Sequence, residues 1–198
     1  MPSQSGTLTY DGSAQSPEWA NFDSTKLALG GTTTGTNAGS YNAAFTPTAN
    51  YQWQDGTTAA KTVAWVIGRA TITIVPSQSG TLTYTGSVQS PSWANYDTAK
   101  LTLGGTTSGT DAGNYTATFT PTSNYQWDNG STAAKNVSWS IGKAAGSLSL
   151  NPTSMTLNNA TKTGTITVTR AGDGAITATS SNTGIATVSV SGTKVTVT

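Results

Sequence analysis

Along most of this chain apolar side chains fall on every second residue. Val63, Trp65 and Ile67 alternate with Thr62, Ala64 and Val66, and 74 residues later Val137, Trp139 and Ile141 alternate with Asn136, Ser138 and Ser140. A period of two belongs to an extended strand whose side chains point to opposite faces, and the drift from Ala64 and Val66 to Ser marks the wet face. The same pattern predicts strands through Leu8 and Tyr10, Leu27 and Leu29, Tyr41, Ala43 and Phe45, and Tyr51 and Trp53, each with a counterpart further on. Turn chemistry separates them. Gly30-Gly31 and Gly104-Gly105 break the run, Pro47 and Pro121 end a strand, and Asp55-Gly56 and Asn129-Gly130 read as type I′ hairpins. Short strands with turns at intervals of about 8–12 residues predict sandwiches rather than a parallel sheet.

The pattern repeats because the chain does. Residues 2–69 align with 76–143 without a gap, and 48 of the 68 pairs are identical, so a complete folding unit has been duplicated. The shared frame includes PSQSGTLTY, QSP, WAN, LGGTT, FTPT, NYQW and TAAK. From about Ala144 the character changes. Residues 144–198 contain no Trp, Tyr or Phe, yet alternation continues through Leu148 and Leu150, Met155 and Leu157, Ile166 and Val168, Ile176 and Ala178, Val188 and Val190, and Val195 and Val197. Three units are expected: 1–69, 70–143 and 144–198. Residues 70–74 read as the first strand of the second unit and 147–150 as that of the third. No such strand precedes Met1, so the first unit is expected to lack one, and both ends read as cuts in a longer array.

Composition narrows the class. Hydrophobic residues make up 34% of the 198, too few for one thick core and enough for several thin ones. There are 41 Thr, a residue that favours extended backbone and keeps a hydroxyl for a wet face. Charged residues are 9% and the net charge is +1, which leaves no basic field for nucleic acid or an acidic membrane. With no Cys and no His, disulfides, thiolate metal sites and His-dependent triads are excluded. No apolar run is long enough to span a bilayer, and Met1 leads into a polar stretch rather than a secretory leader.

Residues 146–198, with NPTS, SSNTGIATVSV and SGTKVTV, resemble a bacterial immunoglobulin-like domain of the group-2 type. The two repeats, with QSP, an AG.Y strand and NYQW in both, and with YTG and a terminal W.IGKA in the second, resemble the related MBG-type modules. The resemblance implies all-β, tandem immunoglobulin-like β-sandwich modules outside the cell, on a bacterial surface or a phage virion. It also implies a further strand after the KVTV segment, and it carries no catalytic residues.

The residues themselves point to no enzyme. Glu18 is the single Glu, and Ser92 replaces it in the second repeat; Asp23, Asp97, Lys26 and Lys100 are retained but read as loop and surface charges. Eight acids spread over the chain make no calcium site, and neither a metal nor any other cofactor is expected. Lys61 and Lys135 lack the retained Glu that a Lys–Asn isopeptide bond would need. Trp65 and Trp139 read as core, as do Trp53 and Trp127 beside their hairpins. Trp19 and Trp93, two residues after Pro in a Ser- and Gln-rich stretch, are the candidates for contact with a glycan or a protein. The expected role is a non-catalytic spacer array, with a phage tail or capsid-decoration part, a glycan-binding adhesin and a strand-lending filament subunit as alternatives. Its expected partners are neighbouring modules of the same array, host glycans or surface proteins, and other copies of itself.

Overall fold

The computed structural model describes residues 1–198 and is built of strands and loops alone. Repeat one contains β1 (Ser3–Ser5), β2 (Leu8–Thr9), β3 (Glu18–Ala20), β4 (Leu27–Gly31), β5 (Gly39–Pro47) and β6 (Lys61–Gly68). Four of these form a curled mixed sheet, a half-barrel, in the order β2-β6-β5-β4. β2 runs parallel to β6, and the other pairs are antiparallel. The core lies on one face, where the alternation of β5 and β6 buries Ala43, Phe45, Trp65 and Ile67 completely or nearly so. Register places Tyr41 opposite Trp65, and the two rings stack at 4.5 Å. The indole Nε1–H donates to Thr32 O at 2.7 Å, so the buried ring leaves no orphan donor.

A two-stranded ribbon, β1 with β3, closes over this face. From it Trp19 sets its ring edge-on to Phe45 at 4.9 Å, and Phe22 follows at 5.3 Å. Asn21 between them takes φ +58°, a left-handed turn that Asn tolerates better than most residues. The ribbon is held by Gln4, whose amide copies a peptide group. Its Nε2 donates to Val66 O at 3.1 Å, and its Oε1 accepts from Val66 N–H at 2.9 Å. One side chain thereby satisfies a backbone pair on β6 that no strand reaches.

Repeat two follows with the same plan. After β7 (Ala70–Ile72) come β8 (Ser77–Ser79), β9 (Leu82–Thr83), β10 (Ser92–Ala94), β11 (Leu101–Gly105), β12 (Gly113–Pro121), β13 (Tyr125–Trp127) and β14 (Lys135–Gly142). Its mixed sheet runs β11-β12-β14-β9, and the ribbon is β8 with β10. Trp139 is 2% exposed, stacks on Tyr115 and donates to Thr106 O, while Gln78 bridges to Ser140 as Gln4 does to Val66. Each repeat is thus a small β-sandwich-like module made of one full sheet and a ribbon rather than two full sheets.

The third module carries β15 (Ser147–Asn151), β16 (Gly164–Ala171), β17 (Val188–Ser191) and β18 (Lys194–Val197) in one antiparallel sheet, β15-β16-β18-β17. Only Val168 and Val195 are buried in it. The alternation at Met155 and Leu157 and at Ile176 and Ala178 does not mark strands, because these segments make no ladder. The half-burial of Met155 and Leu157 has another source: a side chain placed on Gly164 of β16 would strike both, so this loop lies over the sheet. Alternation there reports covering, not pairing. By compactness the chain divides into two units, one holding Met1–Leu82 with most of repeat two, the other centred on Ile141–Thr198.

The hairpins also differ from expectation. Gly56 and Gly130 take positive φ, but Asp55 and Asn129 do not, so neither turn is type I′. Gly56 N–H bonds Trp53 O and Trp53 N–H bonds Thr57 O, the pattern of a type I turn followed by a left-handed glycine. Asp55 is held by Thr57, whose N–H and Oγ1–H both donate to Oδ1, and this side-chain capture selects the turn.

Candidate functional site

The retained segment NYQW and the TAAK stretch beyond its turn build one feature twice. In repeat one the indole Nε1–H of Trp53 donates to Ala59 O at 2.8 Å, and in repeat two Trp127 donates to Ala133 O at the same distance. A lysine lies over each ring, Lys61 at 5.1 Å and Lys135 at 4.5 Å from the centroid. Lys61 also pairs with Asp55 at 2.6 Å. The Lys61 hydrogen bond, followed by those from Thr57, holds the Asp55 carboxyl well below the usual carboxylate range. Lys135 stands 3.9 Å from Asp128. These lysines are occupied by ring and carboxylate, which accounts for their retention.

The two copies part company in backbone. In repeat two, Tyr125–Trp127 is a strand because β7 lies parallel to it, with Tyr125 opposite Ala70 and Trp127 opposite Ile72. Ala70 N–H donates to Asn124 O, Asp128 N–H donates to Ile72 O, and Arg69 Nε donates to Ser123 O at 3.0 Å. In repeat one the residues are the same, yet 51–53 is not a strand, and none lies beside it. The sequence-based strand at Tyr51 and Trp53 is corrected for that reason: a strand exists only where a partner completes its ladder.

Side-chain burial follows the pairing. Trp127 is 1% exposed and Leu101 2%, and Pro121 is buried, whereas Trp53, Leu27 and Pro47 are only half-buried. Tyr125 is half-buried, but Tyr51 is 44% exposed. Repeat one therefore presents an apolar strip where repeat two has Ile72.

Trp19 and Trp93 are placed on strands rather than in loops, and both are half-buried against Phe45 and Phe119. The Pro-led polar surroundings suggested more exposure than the ribbon allows. Trp19→Ala should therefore destabilise repeat one by about 2–3 kcal/mol, at or below the range for truncating a fully buried Trp. Urea denaturation checks this, and a loss under about 0.5 kcal/mol, the level of an ordinary surface change, would return Trp19 to the surface.

Chemistry is sparse elsewhere. No three His, Cys, Asp or Glu side chains gather where they could hold a metal ion. Asp23 is lowered to about 2, first by its hydrogen bond with Lys26 and then by Thr25, a pairing within one exposed turn. An open groove of about 860 Å³ runs past Gln4, Thr9, Ser40, Arg69 and Gln126, and Arg69 is its one ionisable side chain. No acid–base pair converges in it.

No family model, curated protein or solved structure matches this chain. Fold and site define the class by themselves: an all-β protein of tandem, repeated β-sandwich-like modules in which no His, Cys, Asp or Glu cluster could hold a metal ion.

Proposed function

We propose that the chain is a non-catalytic spacer, a run of immunoglobulin-like modules with boundaries near residues 69 and 143, in an extracellular surface protein or fibre of bacterial or phage origin. The observation that supports it most is β7. This strand leaves β6 of repeat one after the single residue Arg69, yet its hydrogen bonds belong to repeat two. The joint is a shared structural element rather than a tether. Further contacts brace it: Tyr10 meets Tyr125 edge-on at 5.5 Å, Asn124 Oδ1 accepts from Ala38 N–H, and Asn124 Nδ2 donates to Asn37 Oδ1. A stiff joint and a surface without reactive groups suit a part that holds something else at a distance.

Residual dipolar couplings test the stiffness. Amides of β5 and β6 and of β12 and β14 should fit one alignment tensor, and two independent tensors would overturn the spacer reading. Location is checked by antibody labelling of intact source cells or virions, where signal that appears only after lysis would count against it. A contact role for Trp19 and Trp93 toward glycans or proteins is a separate proposal, resting on the ring surface each leaves in solvent, and a glycan array with Trp19→Ala and Trp93→Ala controls decides it.

A further inference from the structure

We infer that residues 50–54 of repeat one form an acceptor edge for one additional β-strand, which docks parallel to it and has the chemistry of residues 69–75. The occupant is a basic residue followed by alternating small and isoleucine side chains, the pattern of the segment that follows β6.

The argument is an internal comparison. Residues 50–53 and 124–127 are both Asn-Tyr-Gln-Trp, each preceded by a small residue, Ala49 or Ser123, and followed by a turn of the same hydrogen-bond pattern. Repeat two shows what such an edge binds. It takes Arg-Ala-Thr-Ile in parallel register, accepts Ala70 N–H at Asn124 O, gives Asp128 N–H to Ile72 O, and receives the Arg69 guanidinium at Ser123 O. The corresponding groups in repeat one are Asn50 O, Gln54 N–H and Ala49 O, and no strand stands opposite them. Main-chain hydrogen bonds would supply affinity, and the pocket for the residue aligned with Ile72 would supply specificity.

Packing says the same. Ile72 is 9% exposed in repeat two, where Leu101, Pro121 and Trp127 are buried. Their counterparts Leu27, Pro47 and Trp53 each keep solvent-accessible surface, and Tyr51 keeps more than Tyr125. The strip that remains open in repeat one is the one an isoleucine at that position would cover. This inference goes beyond the spacer reading, since the two repeats stay joined through β7 whether or not repeat one accepts a strand.

The test uses the full chain and a synthetic peptide of sequence RATITIV. Titration followed by ¹H–¹⁵N NMR should shift the Gln54 amide and the Trp53 indole saturably at one peptide per chain. Gln54→Pro should weaken binding roughly tenfold or more, because it deletes the donor to the peptide and its ring crowds that edge. Position 54 is the second residue of the turn, where proline is favoured, so the hairpin is retained. As a second measurement, RATITIV fused in place of Met1 should slow exchange of the Gln54 amide to the level of Asp128. No shift at millimolar peptide together with no protection in the fusion would overturn the inference. So would binding that Gln54→Pro leaves unchanged, which would mean exchange with β7 or attachment elsewhere. Dimerisation of the peptide-free chain that Gln54→Pro abolishes would make a second copy the occupant and overturn the proposed donor.

Discussion

Trp65→Ala is expected to remove about 3–5 kcal/mol from repeat one, the usual cost of emptying a fully buried Trp site. The ring is wholly buried, stacked on Tyr41, and bonded through Nε1 to Thr32 O, so truncation leaves a cavity in the centre of the sheet face and an unbonded carbonyl. Little can collapse into it, because Gly35 already sits against the ring of Tyr41 so closely that an added Cβ would lie 2.5 Å from Cζ. Small domains have roughly 5–15 kcal/mol in all, so a variant of this size stands near the unfolding threshold. Trp139→Ala in repeat two should behave alike, since its stack and hydrogen bond are the same. Chemical denaturation of both variants checks the pair. A loss under about 1 kcal/mol in either, typical of an average point change, would mean that the face is not the core of its repeat.

The third module should open first. Hydrogen exchange followed by mass spectrometry on the whole chain is expected to show β16 and β18 exchanging orders of magnitude faster than β12 and β14. The reason is the burial available to them. Val168 and Val195 are its only buried apolar residues, while Leu148 is 63% exposed and Ile185 83%. It has no aromatic ring, each of which buries roughly 150–250 Å² in a typical core. Its ladder is complete as far as Thr198, which exchanges two hydrogen bonds with Thr187, so the weakness lies in packing and not in pairing. Local opening free energy tracks such packing. Equal protection of β16 and β12 in a monomeric sample would refute this, because the sheet would then be closed by more than its own side chains.

Much of the fold is legible in the sequence. The inward faces of β5 and β6 were plain from Tyr41, Ala43, Phe45, Val63, Trp65 and Ile67, because both strands are long enough to show several periods. β3 and β10 are three residues each, too short to show any, so no alternation marks Trp19 and Trp93 as strand residues. Gln4 and Gln78 were visible as retained residues, but an amide that stands in for a peptide group has no local signature. The acceptor edge was beyond sequence in a stricter sense. Asn-Tyr-Gln-Trp is one string with two structures, strand in one repeat and coil in the other, and only the presence of β7 distinguishes them. Propensity cannot encode a partner.

The amide bridge of Gln4 to Val66 has a consequence for how the fold answers to salt. The bridge is neutral, as are the indole bonds of Trp53 and Trp65, so dissolved ions have nothing in them to screen. The ion pairs of Lys26, Lys61, Lys100 and Lys135 lie at the surface, where a Debye length of about 8 Å at physiological ionic strength already weakens them. Raising the salt concentration therefore weakens the surface ion pairs before it touches these neutral bonds. The clamp on the ribbon and the indole bonds at the centre of each sheet carry no charge for salt to weaken.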